Sequence, residues 1–400
     1  MSFSGKDQLD FIRKVVDETG PRLPTSPEEE QGAKMVAERY ENITGKSANI
    51  EKFTCAPRAS IASIPLLGYI ILFIFMPLYI FLPLAAVIVG ILVFVDATLQ
   101  IFRYTGWLDF LFRKGESQNV YTVLEPRKGD PQYTILLGAH IDSSWGWKLP
   151  LKNPMQMWIK IPYGIVSGVI AIFIAVYRVI SGNQTITWTN SWMLWILILF
   201  VPGWIYLANF MSWDKEKGSP GAMDNLSGIA VTSEVTKYLL SNPDEWPENC
   251  RIILVAFGSE EASLKGSGAF IKAHKEEYPN LWALIVDGVS DKEHFHVING
   301  DTWLGTKYDE EFCNLAQESM EEVGVKPATK TENPVGGSDS ASFSRENVRT
   351  VTLVAQDPNP TAYYHTINDL PDRLDPKVLE TMDRIVLTLI RKIDECERDK

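Results

Sequence analysis

Cysteine is scarce in this chain, and so is histidine. The 400 residues include four cysteines, Cys55, Cys250, Cys313 and Cys396, which lie far apart and form no CxxC pair. That spacing argues against a disulfide framework and against a thiolate zinc site, and it suits a reducing compartment. Basic residues are outnumbered: 38 Lys and Arg face 50 Asp and Glu, for a net charge of −12. The balance argues against nucleic acid as a partner, because phosphate binding needs clustered Lys and Arg; an acidic surface serves solubility. The N-terminus, Met1 to Asp7, lacks the basic-then-apolar pattern of a secretory leader.

Charge of either sign is missing altogether between Arg58 and Asp96. A bilayer core takes about 20 apolar residues per helix. This block, extended to Phe102, therefore fits two short spans turning between Pro77 and Pro83. A re-entrant hairpin and a buried soluble helix pair are the alternatives, and Asp96 makes the second span the weaker one. A second apolar block fits spans over 161–180 and 192–210, with the turn at Ser181-Gly182-Asn183. Trp188, Trp192, Trp204 and Trp213 fall near the expected span ends, where indoles favour the interface. Two hairpins, about four membrane helices, leave the soluble pieces on one side. Arg58, Arg103, Arg113, Lys114, Lys148, Lys152, Lys160, Lys215 and Lys217 flank the spans, whereas the tips carry only Arg178. The positive-inside rule then predicts a multi-pass membrane protein with its soluble domain in the cytoplasm.

The remainder reads as one soluble domain in three parts, 1–57, 104–155 and 213–400, interrupted by hairpins at 58–103 and 156–212. Periodicity and caps predict helices over 7–17, 26–40, 224–240, 264–273, 308–323 and 376–396. Strands are predicted over 49–53, 120–124, 133–140, 251–257, 281–286 and 350–355, with a turn at Lys128-Gly129-Asp130-Pro131. Strands alternating with helices predict an α/β sheet with helices on both faces.

In open α/β sheets, sites form outside the carboxyl ends of strands. Three predicted strands end on metal-binding side chains: one at His140-Ile141-Asp142, one at Glu260-Glu261 and one at Asp287. Asp224 follows a turn of small residues and opens a predicted helix, whose positive end favours a carboxylate. Mixed His and carboxylate donors suit zinc, and a bridging carboxylate suits a pair of ions. His140 and Asp142 face the same way in an extended segment, so the Asp142 carboxylate is placed to hold the second imidazole nitrogen. Of the neighbours Glu260 and Glu261, one can bind metal while the other handles protons. His274 sits in a Lys- and Glu-rich helix and is expected to be exposed. His294 and His296 are expected to be structural or solvated, and Asp339 either binds a substrate amine or orders its own loop.

The segments Gly138-Ala139-His140-Ile141-Asp142, Gly221-Ala222-Met223-Asp224-Asn225-Leu226-Ser227-Gly228, Phe257-Gly258-Ser259-Glu260-Glu261, Asp287, Gly337-Ser338-Asp339 and Tyr364-His365-Thr366 resemble, in that order, the M28 family of zinc metallopeptidases. The resemblance implies a mixed, mainly parallel sheet and two Zn2+ ions. By it, His140 and Asp287 would hold one zinc, Glu261 and His365 the other, and Asp224 would bridge. It also implies Glu260 as general base, Asp142 as the partner of His140, and Tyr364 beside the developing oxyanion. This chain has Ser340 where the family often has a histidine, which bears on substrate preference. The expected activity is that of an aminopeptidase on peptides, with a carboxypeptidase, dipeptidase or N-acyl amino acid hydrolase, or a non-catalytic membrane scaffold, as alternatives. The second hairpin starts about 20 residues after His140 and ends about 14 before Asp224, which places the site near the lipid bilayer. Amphipathic or membrane-derived substrates follow from that placement.

Overall fold

A computed structural model describes residues 3–127, 129–148, 155–278, 280–357 and 362–400. Lys128 of the expected turn and Lys152 among the span flanks lie outside the described residues. Nine strands form one sheet: β1 (Asn49–Cys55), β2 (Gly115–Leu124), β3 (Tyr133–His140), β4 (Cys250–Phe257), β5 (Leu281–Val289), β6 (Phe295–Asp301), β7 (Thr306–Lys307), β8 (Thr329–Asn333) and β9 (Arg349–Ala355). Their order is β1-β2-β4-β3-β5-β9-β6-β7, with β8 beside β6. The four central strands, β4, β3, β5 and β9, run parallel. Antiparallel neighbours flank them, β2 on one side and β6 on the other.

The central strands are apolar on both faces, as parallel strands covered by helices must be. Ile135 and Leu137 of β3 point to one core, together with Ile252 and Leu254 of β4. Leu136, Ile253 and Val255 point to the other. Helices Gly5–Thr19, Pro27–Thr44, Ser227–Ser241, Glu310–Glu322 and Pro376–Arg398 cover the first face, and Lys265–His274 and Ser340–Arg345 the second. Each fully buried aliphatic side chain contributes about 1.5–3 kcal/mol. The predicted caps are in place: the Ser26 hydroxyl accepts from the Glu29 N–H, with Pro27 in the first turn. His274, expected to be exposed, is buried instead. Its ring nitrogens lie 3.1 Å from Glu51 and Glu277, because β1 at the sheet edge closes over the helix.

One carboxylate in this core has an awkward partner. Asp383 is fully buried, and one of its oxygens accepts from Gln8 Nε2 at 2.6 Å. Its other oxygen and the Gln8 carbonyl oxygen have no partner among the described residues. Burial pushes the Asp383 pKa well above the ordinary carboxylate range. The group therefore contributes most below its unfolded pKa of about 3.9 and loses that contribution as pH rises through the raised folded value. Asp383→Asn supplies a donor to Gln8 at every pH. It is expected to raise stability at pH 7 by about 1–2 kcal/mol and to give no gain near pH 4. Urea unfolding at the two pH values reads the difference.

The hairpins leave the sheet at two places, one between β1 and β2 and one between β3 and the helix Ser227–Ser241. Among the described residues, three helices are long and apolar enough to cross a membrane: Ala59–Phe81, Pro83–Phe102 and Ile159–Ile180. The fourth, Trp192–Ala208, is apolar but shorter. The first hairpin breaks at Leu82, within the expected turn. Phe73, Phe81 and Phe173 are 69–75% exposed on the outside of the bundle. Asp96 is turned inward, where it accepts from Trp107 Nε1 at 3.2 Å. Arg178 is fully buried and donates to the carbonyls of Tyr79, Ile80, Asn183 and Gln184, tying the two tips together. A charge within an apolar bundle persists when it is paired in this way. Trp188 is exposed at a tip, as an interfacial indole would be, but Trp204 is buried between the helices.

Candidate metal centre

The parallel register sets the ends of three strands side by side. His140 ends β3 opposite Phe257 of β4, Glu260 and Glu261 follow that strand, and Asp287 lies on β5. Asp224 arrives from the turn after Gly221, which has φ +65°. A Cβ at Gly221 would sit 2.6 Å from the Asp224 carbonyl oxygen, so only glycine fits. The helix expected from Asp224 begins regularly only at Ser227, since Asp224 and Asn225 have non-helical backbone angles. That irregularity turns the Asp224 main chain toward Asp369, whose carboxylate accepts from the N–H groups of Met223 at 2.8 Å and Asp224 at 3.2 Å. His365 takes a left-handed backbone, φ +53°, strained for a residue with a Cβ.

Two donor groups result among the described residues, His140–Asp224–Asp287 and Asp224–Glu261–His365, with Asp224 common to both. His140 Nε2 lies 3.0 Å from Asp224 Oδ1 and 3.7 Å from Asp287 Oδ1. His365 Nε2 lies 2.9 Å from Asp224 Oδ2 and 3.1 Å from Glu261 Oε1. Glu260 lines the same cavity, as does Tyr364, whose ring stacks on His365 at 3.9 Å between centroids. The eight residues that the resemblance assigns to the metals and the reaction therefore lie in one place, Asp142 beside His140.

The surroundings orient these groups, with one departure from expectation. His140 Nδ1 lies 3.1 Å from the main-chain oxygen of Asp142 and 3.6 Å from its carboxylate. The carboxylate instead accepts from the N–H groups of Glu260 and Glu261, each at 2.9 Å. Asp142 thus holds the histidine with its backbone and the glutamate pair with its side chain. His365 Nδ1 meets Ser144 Oγ at 3.0 Å, and the Trp147 ring packs edge-on against the imidazole at 4.4 Å.

Three further buried residues, none signalled by a local motif, fix the loops. Arg22 donates to the carbonyls of Gly20, Ile141, Pro220 and Gly221. Glu29 accepts from Ser259 and Ser117, and Asp369 holds the Asp224 turn. Ser340 turns into the sheet and accepts from Thr350 and Thr352, so it does not stand in for a site histidine. Asp339 is buried with one oxygen unpartnered among the described residues, and burial raises its pKa to about 7. His296, expected to be structural or solvated, forms part of the cavity wall.

Burial raises the Glu260 pKa well above the usual range; His140 opposes this, while Asp339, Glu261 and Asp287 add to it. Burial lowers the His365 pKa, but Glu261 and Asp224 outweigh it and bring the value to about 10. So many carboxylates around two imidazoles, in a buried pocket, form a site that calls for positive charge. Glu261 Oε1 is buried and faces His365 Nε2 across the centre at 3.1 Å. Two His nitrogens and three carboxylates are the donors zinc takes in hydrolases. The residues fit that ion.

Residues 211–390 match the model of Peptidase family M28. No curated protein sequence matches the chain. Among solved structures, a zinc aminopeptidase from Bacillus subtilis is similar, with TM-score 0.58 and 14% identity over 98% of this chain and 95% of that one. An aminopeptidase from Aneurinibacillus sp. strain AM-1 gives 0.57 and 13% over 98% and 94%. A glutaminyl cyclase from an Acidobacteriales bacterium gives 0.55 and 15% over 99% and 96%. At these identities the structures establish a shared mixed α/β fold; the family match reaches further, over the segment carrying Asp224, Glu260, Glu261, Asp287 and His365. Residues 211–390 thus carry the pattern of peptidase family M28, and the chain is a zinc-dependent peptidase.

Proposed function

We propose that the chain is a membrane-embedded exopeptidase working with two zinc ions, most simply an aminopeptidase that removes N-terminal residues from peptides. The observation that carries the reading is Asp224: its two oxygens face the histidines of two donor groups, at 3.0 and 2.9 Å. His140 and Asp287 would hold one ion, Glu261 and His365 the other, and Asp224 both. Zinc bound there supplies Lewis-acid polarisation of a carbonyl and lowers the pKa of water from about 16 toward about 7.

The chain's own groups do the rest. Glu260 accepts the proton of the attacking water and returns it to the leaving amine. Its main-chain N–H, held by the Asp142 carboxylate, keeps the carboxyl group in the cavity. Tyr364 lines the cavity and keeps its proton, since burial pushes its pKa far up, and in this reading it would donate to the reacting oxygen. Residues 1–57, 104–155 and 213–400 form the catalytic domain in this reading, and 58–103 and 156–212 the membrane hairpins. The apolar helices and their outward phenylalanines support insertion in a bilayer. The basic flanks favour a catalytic domain on the cytoplasmic side.

A panel of peptides, free or blocked at either end, tests the reading on protein purified in detergent with added zinc. Cleavage is expected only where the amino terminus is free. Cleavage of amino-blocked peptides or acyl amino acids would replace the aminopeptidase by a carboxypeptidase or an amide hydrolase of the same chemistry.

A further inference from the structure

One cavity joins the membrane hairpins to the metal centre. Its volume is about 320 Å³, at the lower end of the roughly 300–1,000 Å³ of ligand pockets. The three long apolar helices line one part of it with hydrocarbon, including Ile71, Phe75, Val93, Ile161 and Ile165. All five candidate ligands, with Glu260 and Tyr364, line another part, and His296, Glu332 and Gln356 a third. The lined stretch of the first helix runs from Ser60 to Phe75, about 22 Å at 1.5 Å per residue. A soluble peptide has no use for so long a hydrocarbon wall.

Helix packing accounts for only some of the small residues here. A Cβ at Gly164 would meet Leu207 at 2.8 Å and the Gly203 carbonyl at 3.1 Å, so that glycine permits close approach of two helices. Gly168, one turn further on, is different. A Cβ there meets nothing nearer than Ile71 and Trp204, both at 3.9 Å. It lines the cavity without being required by a neighbouring backbone. Where the hairpins meet the centre, the buried Trp147 indole N–H has no acceptor among the described residues and is available to a polar group of a bound molecule.

We propose that the cavity between the membrane helices is a chain-binding site, and that the substrate is an amide-linked amphiphile. Its long hydrocarbon chain lies along Phe75, Val93 and Gly168, its amide reaches the metal centre, and its polar remainder meets His296, Glu332 and Gln356. The proposal rests on the function proposed above for the bond that is broken, though not for the chain that is bound. In the reaction the C–N bond breaks, water gives its hydroxyl to the acyl carbon, and its proton passes through Glu260 to the amine. For a molecule already in a bilayer, the chain moves from one apolar surrounding to another. Discrimination therefore falls on chain length rather than on hydrophobic gain.

Two probes separate the sources of such a chain: an N-hexadecanoyl amino acid, with the chain on the acyl side, and an amino acid hexadecylamide with a free amino group. Each carries a diazirine at the chain end and is irradiated with the full-length Glu260→Gln protein in detergent; labelled peptides are mapped by mass spectrometry. Labelling is expected on the segments holding Phe75, Val93 or Gly168. It should fall about tenfold or more in Gly168→Phe, which fills the cavity, and stay unchanged in Phe173→Ala, on the outer face. Labelling confined to outward residues such as Phe73 and Phe173 overturns the proposal; if Gly168→Phe does not fold, the map on the unfilled cavity decides alone. Turnover by the unsubstituted protein then separates the two readings. Preference for long alkylamides over short ones supports both. Cleavage of long N-acyl amino acids only keeps the chain site and removes the aminopeptidase. Equal cleavage of short and long free-amino substrates, with outward labelling, removes the chain site and keeps the aminopeptidase.

Discussion

Glu260→Gln is expected to lower kcat/KM by about 10²–10⁴-fold, the usual worth of a positioned general acid–base group, while leaving the zinc content unchanged. Glutamine has nearly the same shape, and the main-chain N–H of residue 260 would still donate to Asp142. What is lost is the ability to take and return a proton. Glu260 belongs to neither donor group, whereas its neighbour Glu261 approaches His365 Nε2 at 3.1 Å. The two adjacent glutamates thus separate by role. Elemental analysis beside single-turnover kinetics checks both halves. A fall in bound zinc would make Glu260 a ligand, and a loss in rate below tenfold would remove it as the base.

Asp224→Asn should do more damage, because it acts on both donor groups at once. The carboxylate is shared between His140 and His365, and its two oxygens divide them at 3.0 and 2.9 Å. An amide offers one neutral oxygen and turns a donor toward the other side. Zinc per chain is expected to drop from about two to below one, and turnover to fall beyond detection in the assay that sees Glu260→Gln. Stability should follow the metal. An ion present at about 1,000 times its dissociation constant stabilises a fold by about 4 kcal/mol, so the melting shift that zinc gives the unsubstituted protein should be largely absent in the variant. Retention of one tightly held zinc with the same melting shift would mean that the two groups bind independently and that Asp224 does not bridge them.

The donor residues were legible because their signals are local. His140, Glu260, Glu261 and Asp287 each close or follow an apolar run that reads as a buried strand, and parallel strands deliver such ends to one edge of a sheet. Asp224 and His365 sit in short segments of small or aromatic residues whose order along the chain is itself a pattern. The residues that hold those donors were not legible. Arg22, Glu29 and Asp369 bind main-chain atoms up to 230 positions away, as Glu29 does with Ser259. No periodicity or capping rule reports a contact of that range. His274 shows the same limit: its own helix is polar enough to suggest exposure, and only the closure of β1 over it brings Glu51 within reach.

Taken by itself, the amino-acid sequence determined the alternation of strands and helices, the two apolar blocks and the candidate metal donors at the strand ends. Each of these is a matter of residue type within a few turns of chain, where burial and hydrogen-bonding needs are set locally. The tertiary structure alone decided that the Asp142 carboxylate grips the glutamate pair rather than His140, that Asp96 and Arg178 turn inward, and that the hairpin helices and the metal centre enclose one cavity. Those outcomes depend on how distant surfaces pack. A buried carboxylate or guanidinium takes the partner that long-range packing brings to it, because leaving it unpaired costs more than any local preference supplies.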